Sequence, residues 1–278
     1  MNSIRTSNSP ESGVQCPEEN PETGVPSPQS FDGPGRSPES KSNTIKKISD
    51  GLLSLLFPSA CASCGRYIKD FKYHYVCVPC YESIKRLEGA LCKTCMKPLD
   101  AGYLTECGDC ERGERYFTNI AAGGVYSGAL KELIHLIKFY ERKKIAKLLA
   151  EFVIENIMDC AIKWADVIVP VPLSKKVLAG RGYNQTALVA KILADKFNIP
   201  YVEAVKKVRD TEPQNKLERK DRLKNLKGVF EEDSSVAGKK VLVVDDVYTT
   251  GATMNEMAKT LKMAGAIEVR GIVVARSV

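Results

Sequence analysis

Long apolar runs, histidine and tryptophan are what this chain has least of. Its 278 residues include two histidines and one tryptophan. No apolar stretch approaches the roughly 20 residues that span a bilayer. No charged, apolar leader with a small-residue cleavage site opens the sequence. No membrane insertion is expected, and the expected location is cytoplasmic. Residues 1–43 are poor in apolar side chains; Ser, Pro, Glu, Gly and Asn dominate. Such a segment cannot bury enough surface to offset chain entropy, so a disordered tail is expected. Of the two histidines, His74 lies in a cysteine-rich region and reads as structural. His135 lies among helically spaced apolar residues and reads as part of the core.

Cysteine, by contrast, is plentiful. Ten cysteines in a chain without an export signal argue for metal rather than disulfides. Eight of them form four Cys-x-x-Cys turns: Cys61/Cys64, Cys77/Cys80, Cys92/Cys95 and Cys107/Cys110. Such a turn puts both sulfurs on one side of a tight loop, with backbone N–H groups toward the thiolates. Two turns close a tetrahedral four-thiolate zinc site, so four turns make two structural sites. This is the pattern of a double zinc ribbon, over residues 59–116. We assign the first two turns to one zinc and the last two to the other; a crossed pairing of first with third is the alternative. Four evenly spaced pairs exceed what a thiol relay needs. A segment this short, with few large apolar side chains, could not fold stably without the metal. Ahead of it, Ile45, Ile48, Leu52, Leu55 and Leu56 recur at helical spacing and predict a short amphipathic helix in residues 44–58.

From Phe117 onward apolar strands alternate with helical patterns. Strands are expected at Ala121–Tyr126, Asp166–Val169, Val241–Val244 and Val269–Ala275. A helix carrying Leu130, Leu133, Ile134, Ile137 and Lys138 is expected to run, with a break at 140–142, to about Cys160. Further helices are expected over Asn184–Phe197 and Thr253–Ala264. The alternation implies an α/β fold with a parallel sheet covered on both faces, whose ligands bind at the carboxyl ends of the strands.

One stretch carries the chemistry. Val241–Val244 is a buried strand, Asp245 and Asp246 stand where it ends, and Val247-Tyr248-Thr249-Thr250-Gly251-Ala252-Thr253 leads into a helix expected to start at about Met254. A hydroxyl- and glycine-rich loop at a helix N-terminus can wrap a phosphate. The adjacent carboxylates can accept hydrogen bonds from vicinal hydroxyls. Phosphate on one side and a diol on the other describe a 5-phosphoribosyl group. Paired acids after an apolar strand also occur in metal-binding receiver domains, which do not need the Thr-Thr-Gly-Ala-Thr loop. The stretch resembles the phosphoribosyl-pyrophosphate (PRPP) motif of type I phosphoribosyltransferases.

Further pieces fit the same edge. Pro170-Val171-Pro172 stiffens the turn after a buried strand, and Lys175 and Lys176 follow within reach of a pyrophosphate. Arg181 can pair with a phosphate oxygen through its planar fork, while Asn184 can cap the next helix. The basic segment Lys206–Gly228 falls where these transferases carry a mobile flap; a nucleic-acid contact and a passive solvated face are the alternatives. The formal charge of +7 suits a polyanionic substrate or partner.

Over residues 50–278 the chain resembles the ComF family. The likeness includes Leu-Leu-Phe-Pro before Cys61, the four cysteine turns, Tyr126-Ser127-Gly128, Val169–Leu173, Arg181–Gln185 and Val241–Thr253. It departs at Lys175-Lys176-Val177, where arginines are expected; lysine keeps the charge but loses bidentate geometry. The resemblance implies a type I phosphoribosyltransferase-like domain over 117–278 behind the double zinc ribbon. It also implies a link to natural transformation, with single-stranded DNA and the DNA-uptake machinery as partners. As a magnesium-dependent transferase, the protein would use Asp245 and Asp246 on the ribose. The other readings are a non-catalytic sensor of PRPP or a nucleotide that binds single-stranded DNA, and a nucleotide-metabolism transferase unrelated to competence. The sequence names no acceptor.

Overall fold

Val, Ile and Ala crowd four segments that pair into one parallel sheet. The computed structural model describes residues 60–73, 75–100, 104–139, 144–208, 229–232 and 236–278. The tail, the helix expected in 44–58, His74 and most of Lys206–Gly228 lie outside these residues. The sheet order is β1 (Ile120–Val125), β6 (Glu268–Arg276), β5 (Lys240–Tyr248), β2 (Val167–Pro170). Consecutive residues are buried along β2, β5 and β6, which happens only when both sheet faces are covered. The short helices α1 (Val78–Glu82) and α2 (Gly108–Glu111) belong to the cysteine region; α3 (Gly128–Phe139), α4 (Ile145–Asn156), α7 (Gln185–Phe197) and α8 (Ala252–Met263) supply the cover. Short helices α5 (Asp159–Lys163) and α6 (Lys175–Arg181) complete the connections, and β3 (Val205–Lys207) pairs antiparallel with β4 (Phe230–Glu232).

The expected long helix ending near Cys160 is three pieces. α3 ends at Phe139 and α4 starts at Ile145, the expected break at 140–142 lying outside the described residues, and Ile157 in extended backbone ends α4. His135 is exposed rather than in the core, its ring tilted against Phe139 at 4.6 Å. The buried stripe of α3 is Leu130, Leu133, Ile134 and Ile137, and one more step of about 100° turns position 135 off it.

The cysteine region is built from two similar halves. Cys61 N–H donates to the Arg66 carbonyl at 2.8 Å and Gly65 N–H to the Cys61 carbonyl at 2.8 Å; Cys92 and Met96 repeat both bonds, to Lys97 and Cys92. Both turns need a left-handed residue, Gly65 at φ 72° in the first and Met96 at φ 56° in the second. Met96 holds that unfavourable backbone while its Sδ accepts the Ala122 N–H at 3.2 Å, on β1. The second half therefore docks directly on the sheet. Ile120 N–H reaches the Thr94 carbonyl at 3.0 Å, and Val125 N–H the Lys85 carbonyl at 2.8 Å. Gly124 permits this approach: a Cβ there would stand 2.9 Å from the Lys85 carbonyl oxygen.

Candidate functional site

β5 outruns its neighbour. β2 ends its pairing at Pro170 opposite Val244, whereas β5 stays paired with β6 through Tyr248 opposite Arg276. Asp245 and Asp246 thus lie inside a strand rather than beyond one, in the crevice opened where β2 stops. Asp246 is buried, with both oxygens engaged: Lys138 Nζ lies 2.8 Å from Oδ1, and Gln185 Nε2 donates to Oδ2 at 2.7 Å. Burial works against the Lys138 charge, but Asp246 and then Asp245 outweigh it and hold the ammonium above the usual lysine range. Asp245 accepts the Asp246 N–H at 2.8 Å. Burial first, and the Asp246 charge second, push its carboxyl up to about 7.

The turn between α6 and α7 ties this centre to the proline loop. Arg181 donates to Gln185 Oε1, which orients the amide so that its NH₂ faces Asp246. Burial draws the Arg181 guanidinium below its usual range, against the pull of Asp246. Asn184 does cap α7, accepting the Thr186 N–H at 3.0 Å, and its Nδ2 also donates to the Val171 carbonyl at 2.9 Å. Buried Tyr183 donates to the Ile137 carbonyl and so fastens this turn to α3. Pro170, Val171, Gln185, Asp246 and Lys138 form one connected unit. Lys175 and Lys176 are instead exposed on the first turn of α6, behind the Ser174 cap. A cavity of about 260 Å³ opens beside the acid centre, lined by Lys138, Phe139, Val177, Gly180 and Arg181.

The loop after β5 is shorter than its sequence suggests. With Tyr248 in the strand and α8 beginning at Ala252, only Thr249, Thr250 and Gly251 lie between, and Thr253 is already helical. Gly251 adopts φ 81°, and a Cβ there would stand 2.6 Å from Tyr248 Cζ and closer still to its hydroxyl. The glycine therefore lets α8 start directly over the tyrosine ring, where the Ala252 N–H donates to Thr250 Oγ1 at 3.4 Å. Across the crevice, Ser174 bridges to Lys207 of β3. The base of the basic segment thus sits against the proline loop, while residues 209–228 lie outside the described residues.

The thiols gather as two groups, Cys61, Cys64, Cys77, Cys80 and Cys92, Cys95, Cys107, Cys110, with the sulfurs of each within 4.8 Å of one another. This is the sequential pairing of turns, not the crossed one. The sulfurs of Cys64 and Cys77 lie 3.8 Å apart, and those of Cys95 and Cys107 3.7 Å. A tetrahedron with zinc–sulfur bonds of about 2.3 Å has edges of about 3.8 Å, and a disulfide would need about 2.0 Å. The donor set fits zinc. In the first group Arg66 pulls the Cys64 thiol down to about 6; in both, burial pushes a thiol up, Cys80 to about 12 and Cys110 further.

Sequence reasoning gave Lys138 no site role and singled out Gln185 only as part of the Arg181–Gln185 segment. The signal for Lys138 was present: it occupies the position after Ile134 and Ile137 that an apolar stripe would fill, yet it is charged.

Comparison with known proteins agrees with this anatomy. A double zinc ribbon domain matches residues 52–111, and a phosphoribosyl transferase domain matches residues 184–277. Competence protein F of Haemophilus influenzae is 30% identical over 218 residues, 71% of this chain and 95% of that protein. DNA utilization protein YhgH of Escherichia coli is 31% identical over 200 residues, 70% of this chain and 87% of that protein. A solved structure of the allosteric regulatory enzyme of purine biosynthesis overlaps 48% of this chain and 25% of its own, at 25% identity and a TM-score of 0.30. The first of these relatives is matched over nearly its whole length, ribbon and sheet together, and the chain belongs to the ComF family.

Proposed function

We propose that the chain binds PRPP with magnesium in the crevice at the end of β5, and that it acts in the cytoplasm in the handling of incoming single-stranded DNA. Thr249, Thr250, Gly251, Ala252 and Thr253, with the backbone at Val247, take the 5-phosphate. Asp245 and Asp246 take the ribose hydroxyls, directly or through the ion. Pro170, Val171, Pro172, Lys175, Lys176 and Arg181 take the pyrophosphate. Each four-cysteine group holds one structural zinc.

The observation that carries this reading is the link between adjacent residues of one turn: Gln185 donates to Asp246 while Asn184 donates to Val171. The acid pair and the proline loop are thereby held at a constant distance, as a ligand with a diol and a pyrophosphate requires. Departure of pyrophosphate would leave an oxocarbenium-like carbon, so the residues act by positioning and by stabilising positive charge. The cavity at Lys138 and Phe139 is the space open to an acceptor. The names of the relatives, a competence protein and a DNA utilization protein, support the DNA role.

Calorimetry with PRPP and magnesium tests the donor site: the wild type binds, and Asp245→Asn with Asp246→Asn does not. Equal binding by both would sink the assignment. Pyrophosphate release across a panel of bases separates a transferase from a sensor. A mobility-shift assay with single-stranded DNA tests the DNA contact, which should weaken steeply with salt.

A further inference from the structure

The second thiolate group sits beneath the candidate phosphate cradle, and one buried arginine joins the two. Arg276 ends β6 and is 5% exposed. Its Nε donates to the Cys95 carbonyl at 2.6 Å, its Nη2 lies 3.6 Å from Cys95 Sγ, and its Nη1 donates to the Ser277 carbonyl. Among the described residues it forms no ion pair with a carboxylate. A buried cation needs a counter-charge. Zinc held by four thiolates supplies one, because the ligand charge exceeds that of the ion. The first group differs: its arginine, Arg66, reaches Cys64 Sγ at 3.4 Å but is exposed, so water solvates its charge.

The other side of Arg276 faces the cradle. Its guanidinium carbon lies 5.5 Å from the centre of the Tyr248 ring, and Tyr248 is its register partner across β5 and β6. Tyr248 is buried, braced edge-on by Phe117 at 6.4 Å, and presses its hydroxyl against Gly251, the cap of α8. From Cys95 to Gly251 the contacts are continuous.

We propose that Arg276 is a positioning residue: it is the counter-charge of the second zinc–thiolate group and, through Tyr248, holds the phosphate cradle in shape. The cradle's affinity for a phosphorylated ribose then depends on the second zinc and not on the first. This rests on the phosphoribosyl reading above.

The test uses the full zinc-loaded chain and ribose 5-phosphate as the probe. Arg276→Met keeps the bulk and removes the charge; it should release the second zinc to a chromogenic chelator about tenfold more readily. It should also weaken ribose 5-phosphate about fivefold by calorimetry. Arg276→Lys should recover part of the metal retention, and the thiolate-to-cobalt absorption of cobalt-loaded protein should follow the same order. Cys64→Ser should lose the first zinc and keep wild-type affinity for ribose 5-phosphate. The proposal is overturned if Arg276→Met keeps both zincs and its affinity, or if Cys64→Ser weakens the ligand as much. Should Arg276→Met fail to fold, staged chelation of the wild type decides: affinity must fall with the second zinc, and a fall with the first overturns the coupling. A wild type that never binds ribose 5-phosphate refutes the phosphoribosyl reading instead, and the zinc-release arm still judges Arg276.

Discussion

Lys138 Nζ meets Asp246 Oδ1 at 2.8 Å across 108 positions of sequence. The contact joins the end of α3 to the end of β5, and both side chains are largely enclosed, at 23% and 11% exposure. Lys138→Met would leave Asp246 with the Gln185 amide but no paired cation, with an expected loss of about 3 kcal/mol of unfolding free energy in urea. Adding Asp246→Asn should restore part of it. A loss below about 0.5 kcal/mol would mark the contact as an ordinary surface pair.

Gly251 is the second sensitive point. Ala at φ 81° is strained, and its Cβ would collide with Tyr248. Gly251→Ala should cost about 1–3 kcal/mol and sharply weaken phosphate binding. Tyr248→Phe in that background should relieve only the collision with the hydroxyl, because the backbone strain stays. Full recovery in the double variant would show that φ was not limiting.

Asp245 makes stability depend on pH. Its carboxyl sits at about 7 in the folded chain, against an ordinary 3.8. Between those values the folded chain binds this proton more tightly than the unfolded chain does. The group's contribution is therefore complete below about pH 4 and is lost as pH rises through about 7. Asp245→Asn should flatten that slope in urea titrations. A ligand that prefers the ionised carboxylate should bind more tightly as pH rises from about 6 to 8, with proton release detectable in buffers of different ionisation enthalpy. A slope unchanged by Asp245→Asn would assign it to another group.

The two zincs should differ in lability. Cys64 is exposed, whereas all four cysteines of the second group are buried. Chelation should release zinc in two phases from a starting content of about two ions per chain, and Cys64→Ser should remove the fast one. A single phase in the wild type would mean that burial does not govern release.

Much of the fold was legible because it rests on local repeats. An uninterrupted apolar run betrayed β5 and a 3.6-residue period betrayed α7, and the Cys-x-x-Cys turns announced their ligands by spacing alone. The carboxyl-edge position of Asp245 followed from the alternation of strands and helices. Element ends were less legible: Asp245 and Asp246 look terminal because polar residues usually end strands, yet pairing with β6 carries β5 on to Tyr248. His135 misled because a histidine beside an apolar stripe resembles one within it.

By itself the sequence determined the kinds of element, the cysteines of the two thiol groups and the stretch proposed to cradle a phosphate, since each depends on residues near one another along the chain. Only the tertiary structure decided which cysteine turns share a group, that Lys138 and Gln185 occupy both oxygens of Asp246, and that Arg276 lies between Cys95 and Tyr248. Those contacts join distant segments, and a charged side chain reveals its partner only once burial has removed water as the alternative.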